Sequence, residues 1–169
     1  MNFITTERLE IRQFSEADTA EYVEIMTNPA VTKYLGTGKD MSEEDVKKSL
    51  SYYKSVWDKG YGVFAVKETE SGNIIGHCGI RPINDGRIEI LYAYTPDVWG
   101  KGYATEAGKA VIAYAKEHFN LKEVIAMSYP QNKASIAVIK KMGFENIGQE
   151  EHFGNHLEVF ALRLMDSAF

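Results

Sequence analysis

The sequence predicts a single mixed α/β domain, residues 1–169, and two observations support this fold class. Seven segments with strand-like composition alternate with four segments of helical periodicity, in the order β-α-α-β-β-β-α-β-α-β-β. Short turn sequences join the three consecutive strands in the middle of the chain, which makes those strands antiparallel neighbours. A chain of 169 residues is long enough to bury a core without disulfides or metal.

The first part of the chain predicts one strand and two helices. Loose alternation of apolar and polar residues indicates the strand. Each helix begins with a capping box, at Ser15–Asp18 and at Ser42–Asp45, and Pro29 is expected to end the first helix. The predicted ranges are 4–13 for the strand, 15–27 for the first helix, 30–41 for a glycine-containing linker and 42–60 for the second helix.

The rest of the chain predicts six strands and two helices. Glu70–Asn73 and Asn84–Gly86 have the composition of hairpin turns, whereas Asn132 and Gly143 are typical of the start and end of a helix. The predicted strands are 62–67, 74–81, 88–94, 124–127, 144–149 and about 157–164, and the predicted helices are 103–119 and 133–142.

Composition and charge exclude several classes of protein. The net charge of −5 at pH 7 argues against general nucleic-acid binding, which requires a basic surface, and weakly favours cationic substrates. Cys78 is the only cysteine, so a reducing compartment is expected. No stretch is long and apolar enough to span a bilayer, and no secretory leader is recognisable. We therefore expect a cytoplasmic protein with no membrane or nucleic-acid partner.

The four histidines do not form a metal-binding pattern. His152 and His156 are four residues apart, but the Gly-Asn pair between them indicates a turn rather than the helix that such a pair of ligands needs. His77 and His118 lie elsewhere in the sequence, with no cysteine cluster near them. We predict no metal site.

Residues 94–107 run from an apolar strand through a glycine-interrupted bend into a helix, and we interpret the bend as an anion-binding loop. The first N–H groups of a helix have no internal partner, and Gly100 and Gly102 allow a phosphate or diphosphate to approach the main chain closely. The P-loop pattern does not fit, and Thr105 stands where a dinucleotide-binding pattern needs glycine. The alternative is an ordinary strand-to-helix turn whose glycines serve packing.

The motif W-G-K-G-Y-A-T-E-A, Trp99 to Ala107, resembles the cofactor loop of the GNAT superfamily of acetyl-CoA-dependent N-acetyltransferases. The motif E-I-x-Y precedes it, and N-x-x-S-x-x-V-x-x-K-x-G-F follows it. Nearly the whole chain takes part, because T-E-R-L-x-I-R at the amino end also matches, as do Asn28, Pro29, Val31, Ile75, Gly76, Gly79, Gly143 and Phe144. Within the superfamily the chain most resembles the ribosomal-protein N-terminal acetyltransferases. Trp99 stands where the superfamily pattern has Gln or Arg, and this replacement is usual in that subgroup.

The resemblance implies a GNAT fold: a central, mostly antiparallel sheet of about seven strands flanked by four helices, with the fourth and fifth strands splayed apart after Val124. It implies acetyl-CoA as the acetyl donor, with the pantetheine amides pairing to main-chain groups of the fourth strand. Asn132 is by the same resemblance a cofactor contact, while Lys101 and Lys141 are either phosphate contacts or solvated surface lysines. The predicted cofactor-binding residues are Tyr92, Ala93, Tyr94, Trp99, Gly100, Lys101, Gly102, Tyr103, Ala104, Thr105, Asn132, Ser135 and Lys141.

Glu89 is the predicted general base. Acetyl transfer to an amine requires the neutral amine, and a carboxylate that helps to remove the amine proton typically accelerates a reaction by about 10²–10⁴-fold. Glu89 is the only carboxylate in its strand, and alternation puts it on the same face as Leu91 and Ala93. The alternative is a structural glutamate paired with Arg87 or Arg81.

The group that protonates the departing thiolate is less defined. Many members of the superfamily have a tyrosine four residues before the Gly-Phe pair, and here that position is Ile139. Ser135 is our first candidate, followed by Tyr92, Tyr94 and Tyr129. The alternative role for Ser135 is a hydrogen bond within the first turn of its own helix. Because the pKa of a thiol is about 8.5, the thiolate leaves with modest help, and a dedicated acid is dispensable.

The function predicted from these motifs is acetyl-CoA-dependent N-acetylation, by direct attack of a bound amine in a ternary complex. The acceptor is a primary amine, either a protein amino terminus or a small molecule, and residues 30–61 do not select between them. The alternatives are an acyl-CoA-binding sensor without turnover, which Ile139 keeps open, and a purely structural interaction protein. An exposed edge strand near the carboxyl end offers a surface for a homodimer.

Overall fold

One eight-stranded sheet forms the centre of the fold in a computed structural model that describes residues 3–164. The strands are β1 Ile4–Thr5, β2 Leu9–Arg12, β3 Gly62–Glu68, β4 Ile74–Pro82, β5 Ile88–Tyr94, β6 Glu123–Ser128, β7 Glu145–His152 and β8 Asn155–Arg163. The helices are α1 Thr19–Met26, α2 Pro29–Thr32, α3 Glu43–Trp57, α4 Tyr103–His118 and α5 Lys133–Lys141. The predicted domain of residues 1–169 extends past the described residues at both ends.

The strands lie in the spatial order β1-β2-β3-β4-β5-β6-β8-β7. All neighbouring pairs are antiparallel except β5 and β6, which are parallel and meet at a single register point, Glu89 opposite Ile125. Beyond this point β5 and β6 diverge. The predicted fold class is therefore confirmed, including the splay between the two parallel strands.

Capping side chains start the helices where the sequence predicts. Ser42 and Asp45 form the predicted capping box, in which the Asp45 N–H donates to Ser42 Oγ at 3.1 Å and the Ser42 N–H donates to Asp45 Oδ2 at 2.9 Å. Asp18 accepts the equivalent bond from the Ser15 N–H at 2.8 Å. Each bond satisfies a backbone donor that the helix itself leaves unpaired, typically contributing about 1 kcal/mol.

The first helix ends near Thr27 as predicted, but two other predictions for the first part of the chain are wrong. Pro29 does not close a helix but opens α2 as its first residue, because Asn28 Oδ1 accepts the Ala30 N–H at 3.0 Å and proline needs no donor there. The predicted linker 30–41 therefore begins inside a helix. The predicted strand 4–13 is divided into β1 and β2 by a turn in which Thr6 bonds to Leu9, which raises the strand count to eight.

Apolar side chains cover both faces of the sheet. Helices α4 and α5 pack on one face through residues such as Val111, Ala115 and Ile139. The other face is covered by α1 and α3, where Tyr22 and Val46 are almost completely buried. Burying a large apolar side chain contributes about 1.5–3 kcal/mol, so these two layers hold the diverging strands in place.

An ion-pair cluster ties the turn between β4 and β5 to β7. Arg87 donates to both oxygens of Glu150, at 2.9 and 2.6 Å, and also to Asp85 at 2.8 Å. His152 Nε2 lies 3.0 Å from Glu150 Oε1. The hydrogen bonds from Arg87, followed by that from His152, lower the pKa of Glu150 to about 2.

The substitution Glu150→Gln is expected to remove a pH-dependent part of the stability. Because the pKa of Glu150 is about 2 in the folded protein and 4.5 as its reference value, the stabilisation is present above pH 4.5 and is lost as the pH falls from 4.5 to 2. The melting temperature of the wild type should exceed that of the variant at pH 7, and the gap should close below pH 4.5. The measurement is a thermal melt at each pH, with the exposed neighbour Glu151→Gln as the control. A gap that is independent of pH contradicts the prediction.

Candidate active site

A cavity of about 1250 Å³ opens where β5 and β6 diverge. One wall comes from α1, α2, α3 and β4, and the other comes from the start of α4, the end of β6 and α5. The volume exceeds the roughly 300–1,000 Å³ of an ordinary small-molecule pocket. The predicted site residues that line it are Glu89, Tyr92, Ala93, Tyr94, Trp99, Gly100, Gly102, Tyr103, Ala104, Thr105, Asn132, Ser135 and Lys141.

Lys101 is the one predicted cofactor-binding residue that does not line the cavity. Its side chain is exposed and does not line the cavity, unlike that of Lys141 at the rim. Gly100 and Gly102 have φ values of +79° and +82°, and this left-handed backbone turns the residue between them away from the cavity. A phosphate contact through the Lys101 side chain therefore has no support in the geometry.

The loop before α4 presents a run of free main-chain donors. Among the described residues, none of the N–H groups of residues 100–105 donates a hydrogen bond within the protein. Gly102 is the N-cap of α4, so the last of these groups are the unpaired donors of a helix start. Such a run, at the positive end of a sixteen-residue helix, is suited to a phosphate or diphosphate.

Trp99 lies in the same loop and contacts the end of β5. Its indole N–H donates to the Tyr94 carbonyl at 2.8 Å, which satisfies the last carbonyl of β5. The ring itself remains about half exposed at the cavity. Trp99 therefore fixes the exit of the chain from β5 and leaves an apolar surface beside the free donors.

Glu89 lies at the point where β5 and β6 separate, and it is 7% exposed. Arg81, its register partner on β4, contacts Glu89 Oε1 with both Nε and Nη2 at 2.9 Å. No hydrogen bond from the described residues ends on Oε2. The sequence offers two arginines as partners of Glu89. Arg87 bonds to Asp85 and Glu150 instead, so the partner is Arg81. The ion pair holds the carboxylate in place and leaves one oxygen for a second molecule.

The two leading candidates for proton donation to the thiolate are in contact. Tyr92 Oη lies 2.8 Å from Ser135 Oγ, a hydrogen bond that joins β5 to α5 across the divergence. Burial raises the pKa of Tyr92 to about 12, so its hydroxyl keeps its proton at neutral pH. The Ser135 hydroxyl is thus not used only within its own helical turn.

The other candidates for this role are placed less well. Ile139 is buried and has no proton to give. The Tyr94 hydroxyl is sealed in the core beside the Cys78 thiol, and burial raises its pKa well above its usual range. The Tyr129 hydroxyl donates to the Gly36 carbonyl at the cavity mouth. Neither tyrosine hydroxyl forms a hydrogen bond with Ser135.

Sequence reasoning missed a buried polar pair behind the wall of the cavity that α1, α2, α3 and β4 form. His77 Nδ1 shares a hydrogen bond of 2.7 Å with Tyr22 Oη, and Tyr53 packs against the same imidazole. Burial, with a smaller effect from Arg81, lowers the pKa of His77 to about 3, so the ring is neutral. His77 and Tyr22 are 55 residues apart, and no local pattern signals their contact.

The diverging sheet, the free donors before a helix and the buried carboxylate together define a class of acyl-transferring enzyme. The chain matches the family described as "Acetyltransferase (GNAT) domain" over residues 8–145, and it therefore belongs to this family of acetyl-CoA-dependent acetyltransferases. An uncharacterized N-acetyltransferase, YnaD of Bacillus subtilis, is 32% identical to it over 146 residues, covering 86% of this chain and 84% of the relative.

Solved structures agree on the fold. A GNAT-family acetyltransferase from Bacillus anthracis superposes with a TM-score of 0.83 at 25% identity, covering 96% of this chain and 99% of that one. A ribosomal-protein-S5-alanine acetyltransferase from Vibrio fischeri has a TM-score of 0.81 at 18% identity, with 98% of both chains covered. A spermidine N-acetyltransferase from Vibrio cholerae, solved with CoA and spermine, has a TM-score of 0.78 at 20% identity, with 94% and 97% covered.

Two further observations concern residues 3–164. None of the helices there is long and apolar enough to cross a membrane. Within the same residues, no group of three or more His, Cys, Asp or Glu side chains is arranged to hold a metal ion.

Substitution of Asn132 is expected to separate its two predicted roles. Asn132 Oδ1 accepts the Ser135 N–H at 3.2 Å, so Asn132→Ala should lower the free energy of unfolding by about 1 kcal/mol. Asn132→Asp keeps the accepting oxygen and should unfold like the wild type, while its carboxylate weakens binding of an anionic cofactor. Urea unfolding and calorimetric titration with CoA measure the two effects, and the exposed Asn120→Ala is the control. Unchanged stability in Asn132→Ala would rule out the capping role.

Proposed function

We propose that this protein transfers the acetyl group of acetyl-CoA to a primary amine, by direct attack of the amine on the thioester while both are bound. The observation that carries the proposal is the position of Glu89, which lies at the vertex of the divergence and in the same cavity as the free donors of residues 100–105. A carboxylate suits an amine, and a helix start suits a diphosphate.

Acetyl-CoA is proposed to bind along β5 with its diphosphate on the N–H groups of residues 100–105. Beyond Glu89, β5 has no register partner on β6. Apart from the Tyr94 carbonyl, which Trp99 already satisfies, the main-chain groups of residues 92–94 that face β6 are therefore available to the pantetheine amides, which pair with them as an added strand would. Asn132, Ser135 and Lys141 line the facing wall.

The reaction on this scaffold consists of addition followed by collapse. The neutral amine attacks the thioester carbonyl carbon, and a main-chain N–H of the stretch from Tyr92 to Tyr94 stabilises the oxyanion. Glu89 accepts the proton that the amine loses, directly or through one water molecule. Arg81 orients the carboxylate through Oε1 and leaves Oε2 for this transfer. Collapse of the intermediate re-forms the carbonyl, breaks the C–S bond and releases CoA as a thiolate.

The Tyr92–Ser135 pair is proposed to return a proton to that thiolate. Tyr92 holds its proton at neutral pH, and Ser135 relays it across the 2.8 Å hydrogen bond. Glu89 then loses the accepted proton to solvent and Tyr92 takes one proton back from solvent, so both groups return to their starting state. In this chain the pair takes the place of the tyrosine that Ile139 replaces.

The acceptor is proposed to be a protein amino terminus or a small-molecule amine. The names of two proteins that share the fold, an S5-alanine acetyltransferase and a spermidine N-acetyltransferase, represent these two classes. The charged side chains proposed to face the acceptor do not favour either class, because both signs occur among them. They are Asp40, Asp45 and Glu89, with Lys33, Lys39, Lys48 and Arg81.

A homodimer through β7 is a further part of the proposal. β7 lies at one edge of the sheet, and most of its residues are exposed. An unpaired edge offers main-chain donors and acceptors to the same edge of a second copy.

The experiment that tests the function is thiol release from acetyl-CoA with a panel of amines. The panel contains peptides with free amino termini, including a ribosomal-protein sequence, as well as polyamines, aminoglycosides and amino acids. Turnover with one class supports the transferase and identifies the acceptor chemistry. Binding of acetyl-CoA without turnover in any class favours a sensor instead.

The substitution Glu89→Gln is expected to lower kcat by about 10²–10⁴-fold at neutral pH, because the amine loses its proton acceptor. The affinity for acetyl-CoA should not change, since Glu89 is not proposed to contact the cofactor. Steady-state kinetics and calorimetry with CoA give the two quantities, and Glu123→Gln at an exposed site on β6 is the control. Unchanged turnover in Glu89→Gln eliminates Glu89 as the base.

The substitutions Tyr92→Phe and Ser135→Ala are expected to lower kcat by less than about 10²-fold, because a thiolate is a good leaving group. The loss should be largest below pH 8.5, where the released thiol is protonated, and should fade above it. The double variant should be no slower than the slower single variant, since the two residues act as one donor. The pH profile of kcat is the measurement, with Tyr61→Phe as a remote control. Additive losses that are independent of pH argue against a shared proton donor.

A further inference from the structure

The amino-terminal strand pair reaches the outer side of the loop before α4. Arg8, in the turn between β1 and β2, donates from Nη1 to the Lys101 carbonyl at 2.8 Å. Its guanidinium lies 4.3 Å from the centroid of the Tyr103 ring. Arg8 thus contacts two consecutive parts of the loop, the glycine bend and the first residue of the helix, although 93 residues separate it from Lys101.

The hydrogen bond to Lys101 fixes the direction of the next peptide N–H. In a trans peptide the carbonyl and the N–H of one plane point in opposite directions, and this chain has no cis peptide among the described residues. The Lys101 carbonyl is turned outward to Arg8, so the Gly102 N–H is turned the other way. Gly102 lines the cavity and the Lys101 side chain does not, which agrees with this orientation.

Glu106 holds Arg8 in the position that this bond requires. Its Oε1 accepts from Arg8 Nε at 2.7 Å, and its Oε2 accepts from the Arg8 backbone N–H at 3.0 Å and from the Thr6 hydroxyl. Burial opposes the charge of Glu106, but the hydrogen bonds from Thr6 and Arg8 outweigh it and lower its pKa. Since Glu106 lies in the first turn of α4, the clamp joins the strand pair to the same helix start.

We propose that Arg8 is a positioning residue for the cofactor: by holding the Lys101 carbonyl outward, it turns the Gly102 N–H toward the diphosphate before the diphosphate arrives. The T-E-R-L-x-I-R segment, which carries part of the family resemblance, thereby acquires a role in binding. This inference rests on the proposed seating of acetyl-CoA on residues 100–105. It requires no contact between Arg8 and the cofactor.

A second arginine of the same segment provides a matched control. Arg12 on β2 donates to both oxygens of Asp18, at 2.7 and 3.0 Å, and is at least as buried as Arg8. It has no hydrogen bond to the loop before α4. Removal of Arg12 therefore costs stability in the same part of the sheet without releasing the Lys101 carbonyl.

The test compares acetyl-CoA with S-acetylpantetheine, which carries the same thioester but no diphosphate. Arg8→Met should raise the Kd for CoA and the KM for acetyl-CoA by about 10-fold, the equivalent of one charge-assisted hydrogen bond. Its kcat/KM for S-acetylpantetheine should remain within about twofold of the wild type. Arg8→Lys should give a Kd for CoA between the values of the wild type and of Arg8→Met, because an ammonium group cannot bond to the carbonyl and to Glu106 in the fork geometry of a guanidinium. Arg12→Met should lower the melting temperature and leave the preference for acetyl-CoA unchanged.

Three results would overturn the inference. Equal losses with both donors in Arg8→Met would show that Arg8 supports the fold in general, and unchanged CoA affinity would show that the loop keeps its shape without Arg8. A loss of CoA affinity in Arg12→Met as large as in Arg8→Met would remove the special role of the Lys101 bond. The two results on CoA affinity are measured as a Kd without turnover, so they are independent of the acceptor. A wild type that bound no CoA would instead refute the proposed function, and the inference with it.

Discussion

The single bridge between Glu89 and Ile125 is the constraint on which the rest of the structure depends. A continuous parallel pair would use the main-chain groups of β5 on both edges, and it would leave no space in the sheet. Divergence after one bridge opens the cavity, exposes one edge of β5 and puts a carboxylate at the vertex. Buried main-chain groups need partners, so this edge is stable only with water or an extended ligand beside it. The packing of α4 and α5 on one face and of α1 and α3 on the other keeps the two strands apart.

Three polar pairs near the vertex each join side chains of two different elements. Arg81 on β4 holds Glu89 on β5, Tyr22 on α1 holds His77 on β4, and Ser135 on α5 holds Tyr92 on β5. Each pair leaves little freedom to its members, so the groups are oriented before any ligand binds. Preorganisation of this kind is the main way in which a protein stabilises charge that develops during a reaction.

Local patterns in the sequence predicted most of the fold. The two capping boxes, the turn sequences and the alternation in β5 act over two to four residues, and they identified α3, the central strands and the face of Glu89. The same kind of evidence failed at Pro29, because a proline that ends one helix and a proline that starts another look alike without the Asn28 cap. Contacts between distant residues left no pattern at all: Tyr22 with His77, and Arg8 with Lys101, became visible only when the strands were in register. The position of the Lys101 side chain depended on backbone angles at Gly100 and Gly102 that composition does not encode.

The order of strands also has a consequence for synthesis of the protein. β8 lies between β6 and β7, although both precede it in the chain. Until β8 leaves the ribosome, β6 can pair with β5 only at one point, and β7 has no neighbour. A chain in which β8 has not yet inserted therefore exposes two incompletely paired strands, and unpaired strands are the segments most prone to pair with other chains. Because β6 also lines the cavity, the pairing of β8 with β6 completes the sheet beside the candidate site.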